Sequence, residues 1–263
     1  MTDLVIREAA GGVLRLTLND PTTRNSLSAA MMSAVGDVLA EAATDESVRV
    51  IVIAATGPAF SSGHNLKEIS SHRRDADKGA AYFSALFHQC AELMLAIVRH
   101  PKPVIAEVRG LASAAGCQLV ASCDLAIAAD TASFCTPGVN IGLFCSTPMV
   151  ALSRNVVPKH AMEMLLTGEA ITAAEAQRIG LVNRVVTPNL LSESVDELAR
   201  IIAAKSQVTL KMGKQAFYRQ LDLPLEEAYA MTAAVMAENL LKRDAEEGIA
   251  AFIGKRHPKW EDR

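Results

Sequence analysis

Four short runs of nearly unbroken apolar residues, at 14–18, 48–55, 104–108 and 125–129, punctuate the first half of the chain. Each is bounded by polar or chain-breaking residues, and most are rich in Val and Ile. Runs without polar alternation predict strands buried on both faces. Between the first two, Leu27, Met31, Val35, Val38, Leu39 and Ala42 recur at steps of three and four, the stripe of an amphipathic helix. Strands alternating with helices predict an α/β architecture with right-handed crossovers.

After about residue 158 strand-like runs nearly vanish. Thr172-Ala-Ala-Glu175 reads as a capping box, and Gly180 fits the end of the helix it opens. Val195, Leu198, Ile201 and Ile202 form another stripe, and Leu241, Ala245, Ile249, Phe252 and Ile253 one more. The chain therefore divides into an α/β core over 1–195 and a helical region over 196–263. Amphipathic helices after a finished core predict a face that covers something, and a subunit contact is the natural candidate.

Composition narrows the functional classes. The chain has 263 residues, enough for an ample core without a disulfide or metal staple. With 26 Lys+Arg against 29 Asp+Glu and 4% aromatics, it lacks the basic face and stacking platforms of a nucleic-acid binder. Five scattered cysteines without a CxxC pair give neither a closed zinc site nor a secreted disulfide framework. No apolar run approaches the ~20 residues that span a bilayer, so no membrane partner is expected.

Two loops carry the candidate chemistry. Phe60-Ser-Ser-Gly-His64-Asn-Leu-Lys67-Glu68 follows the second apolar run, and Arg109-Gly-Leu-Ala-Ser-Ala-Ala115-Gly-Cys-Gln118 follows the third. Both place small residues at a strand's carboxyl end before a helix, where α/β structures bind ligands. Small residues serve ordinary turns equally well. They also let a ligand approach the backbone, and two such loops side by side can aim two N–H groups at one oxygen.

The order Pro21-x-x-Arg24-Asn25-Ser26-Leu27, FSSGHNLKE, KPVIAEVRGLASAAGCQLVASCDLAIA, TPGVNIGLF and LLTGEAITAAEAQRIGLVNRVV resembles the enoyl-CoA hydratase/isomerase (crotonase) superfamily over about residues 5–257. The resemblance implies an α/β crotonase spiral of ββα units, with a C-terminal helical region that builds trimers, often paired into hexamers. It implies an acyl-CoA thioester substrate, no cofactor beyond the coenzyme A of the substrate, and an enolate stabilised by the backbone N–H groups of His64 and Ala115. Arg24 falls where relatives place a cation near the CoA phosphates. Lys67, Phe252 and Lys255 fall in segments that contact its adenine and phosphate end, while Ser62, Asn65 and Leu66 belong to the first substrate loop. Details of FSSGHNLKE, ASAAGCQLVASCD and TPGVNIGLFCSTP are most similar to a mitochondrial branch of the family. The opening MTDLVIREAAGG has neither signal-peptide nor transit-peptide character, so the expectation is a bacterial, cytoplasmic relative.

The chain departs from the resemblance where it matters chemically. Family hydratases use two glutamates as acid and base, and the matching positions hold Gln118 and Gly138. Neither residue can act as a general base. Asn140, Cys145 and Ser146 lie in or beside the second-glutamate loop and are candidates for the acyl pocket. Asp124 is expected to be structural, and the facing of Glu107 within its strand is left open. The remaining histidines show no HxxxH spacing, so no metal site is expected. Three readings follow: a hydratase/isomerase-like lyase, a malonyl-type decarboxylase that needs no protein base, and a non-catalytic acyl-CoA binder. Restoring both carboxylates, Gln118→Glu with Gly138→Glu, is the direct way to ask whether hydration returns.

Overall fold

The computed structural model of the protein describes residues 3–263. Strands β1 (Val5–Ala10) and β2 (Val13–Leu18) form a hairpin; a 3-10 turn over Pro21–Thr23 and helix α1 (Ala29–Thr44) lead to β3 (Val50–Ala55) and β4 (Ala59–Ser61). Helices α2 (Leu66–His72) and α3 (Ala80–Val98) follow, then β5 (Val104–Val108), β6 (Leu111–Ser113), α4 (Ala115–Ser122), β7 (Leu125–Ala129) and β8 (Ser133–Cys135). A 3-10 turn over Pro137–Ile141 precedes α5 (Ser146–Asn155), α6 (Pro158–Thr167), β9 (Ile171–Thr172), α7 (Ala173–Arg178) and β10 (Arg184–Val186). Helices α8 (Leu191–Ala203), α9 (Gln207–Gln220), α10 (Leu225–Leu240) and α11 (Arg243–Ile253) come last.

Successive ββα units give one long strand to a six-stranded sheet, ordered β1-β2-β3-β5-β7-β10, and one short strand to a second sheet, ordered β4-β6-β8-β9. The large sheet is parallel apart from the β1–β2 hairpin. The apolar runs lack polar alternation because both faces of that sheet are covered. Leu16, Ile51, Ile53 and Ala106 face the main core with α1, α3 and α4. Val50, Val52, Ile105 and Ile127 face Leu191, Val195 and Ala199 of α8. Residue 195, where the sequence pattern divides core from tail, therefore lies inside a helix packed on the sheet.

Glu107 lies on the α8 side of β5. It pairs with Arg15 and accepts from Ser192 Oγ at 2.8 Å, while Arg15 also reaches Asp196 at 2.6 Å. It fastens α8 to the sheet. Asp124 is structural, as expected: it accepts from Val104 N–H at 2.7 Å, from Lys214 Nζ at 2.7 Å and from Tyr218 Oη at 2.9 Å, tying α9 to the core. Burial pulls the Lys214 pKa down, and Asp124 opposes that shift. The N-cap half of the capping box forms, with Thr172 Oγ1 accepting from Glu175 N–H at 3.2 Å and Gly180 at φ +88° past the helix end, while the Glu175 carboxylate pairs with Arg178 instead.

Two helices add detail that the sequence pattern does not carry. α3, with a mean hydropathy of 1.4 over a membrane-length window, is long and apolar enough to cross a bilayer by length and composition. Its Leu86, Cys90, Leu93, Met94 and Ile97 are buried in the main core, which makes it a core helix. The apolar stripe of α11 points outward: Ile249 is 51% exposed, Phe252 85% and Ile253 76%. The inward residues are Asp244, Glu247 and Ala251. Asp244 accepts from the N–H groups of Glu261 and Asp262, and Glu247 accepts from both terminal nitrogens of Arg256 and from Lys259 N–H. An acidic face thus folds the last residues back. Trp260 Nε1–H, donating to Ala204 O at 2.8 Å, closes that return.

The Arg256 guanidinium holds the Glu247 pKa down at about 2, against an ordinary 4.5. A depressed carboxylate stabilises the docked segment above its unfolded pKa, and that contribution disappears as pH falls from about 4.5 to about 2. Trp260 is the single tryptophan, so its emission reads the docking directly. We expect Glu247→Gln to red-shift Trp260 at neutral pH, and the wild-type protein to show the same shift only on acidification through that window. Wild-type emission that is flat from pH 5 to 2 would contradict the assignment.

Candidate functional site

Parallel pairing of β4 with β6 brings the loops that leave their carboxyl ends side by side. Two glycines let them touch. A Cβ on Gly63, at φ +84°, would stand 2.9 Å from Ser113 O and 3.2 Å from Ala115 N; one on Gly116 would stand 2.4 Å from Ser61 O. Between these contacts Ala114 adopts φ 50°, ψ −116°, a conformation costly for any residue with a Cβ. Its N–H donates to Cys135 O at 2.9 Å and its carbonyl accepts from Gln118 N–H at 3.0 Å, which holds the turn in place.

Neither His64 N–H nor Ala115 N–H, the second of them at the first position of α4, donates to a protein acceptor among the described residues. Two free donors beside a tight loop–loop contact can together receive one oxygen. The loop before α1 braces them. Leu27 N–H donates to Gly63 O at 2.8 Å, and Ser62 donates from N to Arg24 O and from Oγ to Thr23 O, both at 3.0 Å.

Asn25, one of the residues that carry the family resemblance, is the keystone of that loop. Fully buried at φ 53°, it donates from Nδ2 to Thr56 O and Ala59 O and accepts from Asp20 N–H. A polar residue before Ser-Leu at the entry of a helix was the available signal.

The other predicted residues divide. Arg24, Leu66 and Lys67 are exposed around the first loop. Asn65 Oδ1 is occupied in capping α2, accepting from the N–H groups of Lys67 and Glu68 at 3.1 and 3.3 Å. The His64 imidazole is engaged by its own partners: its Nδ1–H donates to Leu27 O at 3.1 Å and the ring meets Phe87 edge-on at 5.3 Å. Burial lowers its pKa and keeps it neutral, with Nε2 sealed from solvent. Phe252 and Lys255 lie at the end of α11, which packs on α9 and α10; a single chain does not bring them to the loops.

Gln118 is buried three residues after Ala115 on the same face of α4, beside Cys90 of α3. Gly138 is buried as well, and its surroundings are closed. A Cβ there would meet Leu143 O at 2.6 Å and Cys145 Sγ at 2.9 Å. The expectation that a carboxylate can be restored at 138 is therefore corrected: backbone and thiol fill the space. The side chain of Asn140 lies toward Gly168 at the end of α6, its Nδ2 3.1 Å from where a Gly168 Cβ would be. Burial raises the Cys145 pKa, so it stays a thiol rather than a nucleophilic thiolate. An open groove of about 560 Å³ lined by Leu4, Ile6 and Asp37 sits at the β1 edge, with no contribution from either loop.

A profile of the enoyl-CoA hydratase/isomerase family matches residues 8–263. The rat protein named enoyl-CoA hydratase domain-containing protein 3, mitochondrial, is 48% identical over 249 residues, covering 95% of this chain and 81% of its own. The crystal structure of the human protein of that name superposes with TM-score 0.94 at 46% identity, covering 98% of this chain and all of that one. A crystal structure of an enoyl-CoA hydratase from Mycobacterium smegmatis gives TM-score 0.93 at 48% identity, covering 98% of this chain and 99% of that one. Four further relatives at 44–48% identity also carry the mitochondrial name. These names run against the expectation of a cytoplasmic relative, since all five of these relatives are named as mitochondrial proteins.

The closed space at Gly138 makes a direct prediction. Overpacking a filled interior costs about 1–3 kcal/mol, which in a chain of this size lowers the melting temperature by several degrees. We expect Gly138→Ala and Gly138→Glu each to melt below wild type, and Gln118→Glu alone to melt close to it. A Gly138→Glu protein as heat-stable as wild type would show that the 143–145 segment yields.

Proposed function

The chain belongs to the enoyl-CoA hydratase/isomerase (crotonase) family, and from that premise we propose that it is an acyl-CoA lyase of the hydratase/isomerase type. In this reading the thioester carbonyl sits between the N–H groups of His64 and Ala115. The observation that carries it is the pair of unaccepted donors where β4 and β6 end. As a thioester becomes an enolate, charge moves onto its oxygen, and fixed N–H donors stabilise that state more than the ground state. One such donor is worth roughly 10²–10³ in rate. No resident cofactor is needed, since coenzyme A arrives with the substrate.

The exposed cations Arg24 and Lys67 suit the CoA phosphates, with Ser62 and Leu66 on the same loop. Phe252 and Lys255 reach a site only across a subunit contact. The outward apolar side chains Tyr229 and Met236 of α10 and Ile253 of α11 support the trimer, or hexamer, that family membership suggests.

Acid–base catalysis contributes roughly 10²–10⁴ in rate, and neither Gln118 nor Gly138 supplies it. The closure at Gly138 favours a second reading, decarboxylation of a malonyl-type thioester, in which loss of CO₂ itself leaves the enolate pair and no protein base is required. A non-catalytic binder shares the same pocket without turnover.

The expected pattern is measurable. Hydration of trans-2-enoyl-CoAs, followed by loss of the conjugated absorbance, should be at least a hundredfold slower than for an enzyme with both carboxylates. Release of CO₂ from malonyl-, methylmalonyl- or ethylmalonyl-CoA above background selects the second reading. Binding of saturated and unsaturated acyl-CoAs without either turnover selects the binder, and failure to bind any acyl-CoA by calorimetry removes all three. Deleting the chain after residue 205 should break the oligomer in sedimentation; a truncated protein that still runs as a trimer refutes the role given to α9–α11.

A further inference from the structure

Gln118 is buried on the Ala115 face of α4, and among the described residues its amide has one protein partner, the thiol of Cys90 on α3, with Sγ to Oε1 at 3.8 Å. Burial pushes the Cys90 pKa up to about 12, so this sulfur keeps its proton and acts as the donor. That fixes the amide's orientation: Oε1 faces α3, and Nε2 with its two hydrogens faces away from it. Among the described residues Nε2 has no protein acceptor, yet unlike His64 Nε2, Glu68 Oε2 and Tyr82 Oη it is not sealed from solvent. It retains solvent-accessible surface although the residue as a whole is only 4% exposed.

The candidate site thus presents three N–H donor groups, at His64, Ala115 and Gln118, with no carboxylate at position 118 or 138; Glu68 acts on the His64 ring. Resting on the acyl-CoA reading above, we propose that Gln118 is a specificity residue, donating from Nε2 to an oxygen on C3 of the acyl group, so that the site takes thioesters carrying a C3 oxygen. Ketone and carboxylate oxygens are both acceptors and share this chemistry. An all-alkyl acyl group strips water from Nε2 and returns no partner, which penalises it. The thioester oxygen meets the backbone donors, and the C3 oxygen meets the side chain one helical turn further along α4.

The test titrates the whole protein by calorimetry with butyryl-CoA and acetoacetyl-CoA, which differ by the C3 oxygen, and with malonyl-CoA as the carboxylate counterpart. Wild type should bind at least one oxygen-bearing ligand about tenfold or more tighter than butyryl-CoA, and the larger ratio identifies the oxygen as ketone or carboxylate. In Gln118→Leu that ratio should fall toward one, with butyryl-CoA binding more tightly than in wild type. Cys90→Ala, which frees the amide to turn, should reduce the ratio in part. A wild-type ratio near one, or one that survives Gln118→Leu because the backbone donors alone produce it, overturns the proposal while the acyl-CoA reading stands. Failure to bind any of the three ligands overturns both.

Discussion

Everything chemically useful in this chain depends on how closely two backbones approach each other at Gly63 and Gly116. Each glycine lies where a Cβ would press on the opposing chain, at 2.9 Å from Ser113 O and 2.4 Å from Ser61 O. Without those absences β4 and α4 stand further apart, and the N–H groups of His64 and Ala115 no longer share one space. The contact is held from three sides. β4–β6 pairing sets the register, Asn25 fastens the loop before α1 under β3 and β4, and Ala114 bears the strained turn. An alanine at φ 50° stores strain that a glycine would not, so the surrounding hydrogen bonds to Cys135 O and Gln118 N have to over-determine it.

Much of this was legible in the sequence because burial leaves a strong pattern. All four apolar runs became central strands of the large sheet, and the stripe from Met31 to Ala42 became the buried face of α1. The second sheet was not legible. Its strands are two or three residues long, too short for a period to show, although they position the site. Helix α3 was missed because it is apolar almost throughout, so it shows length without a clear stripe. The loop residues carried a readable composition but not a readable geometry. Sequence alone could identify Gly138 as lacking a carboxylate; only the packing of Leu143 O and Cys145 Sγ shows that a side chain there must displace its neighbours.

Losing two carboxylates also changes the electrostatic character of the pocket beyond the loss of a base. Paired glutamates offer acceptors and negative charge to whatever acyl group enters. Here Gln118 offers hydrogens, Cys90 and Cys145 are held as neutral thiols by burial, and the His64 imidazole is kept neutral and turned toward Leu27 O. What remains is a donor-lined space without the paired carboxylates. Such a space suits a substrate that brings its own negative charge or develops it on oxygen.

The inverted helix α11 bears on the same site from a distance. A helix that buries Asp244 and Glu247 while exposing Phe252 and Ile253 is poorly arranged for a monomer, since its apolar surface gains nothing from water. The inward carboxylates have a clear task, folding the last residues back so that Trp260 reaches Ala204 O. The outward side chains have none within one chain. Because Phe252 and Lys255 share that outward end, a neighbour that covers the apolar stripe also receives an aromatic ring and a cation. On the acyl-CoA reading proposed above, association and completion of a CoA site would be one event, and a free monomer would have weakened affinity for the coenzyme with its two loops intact.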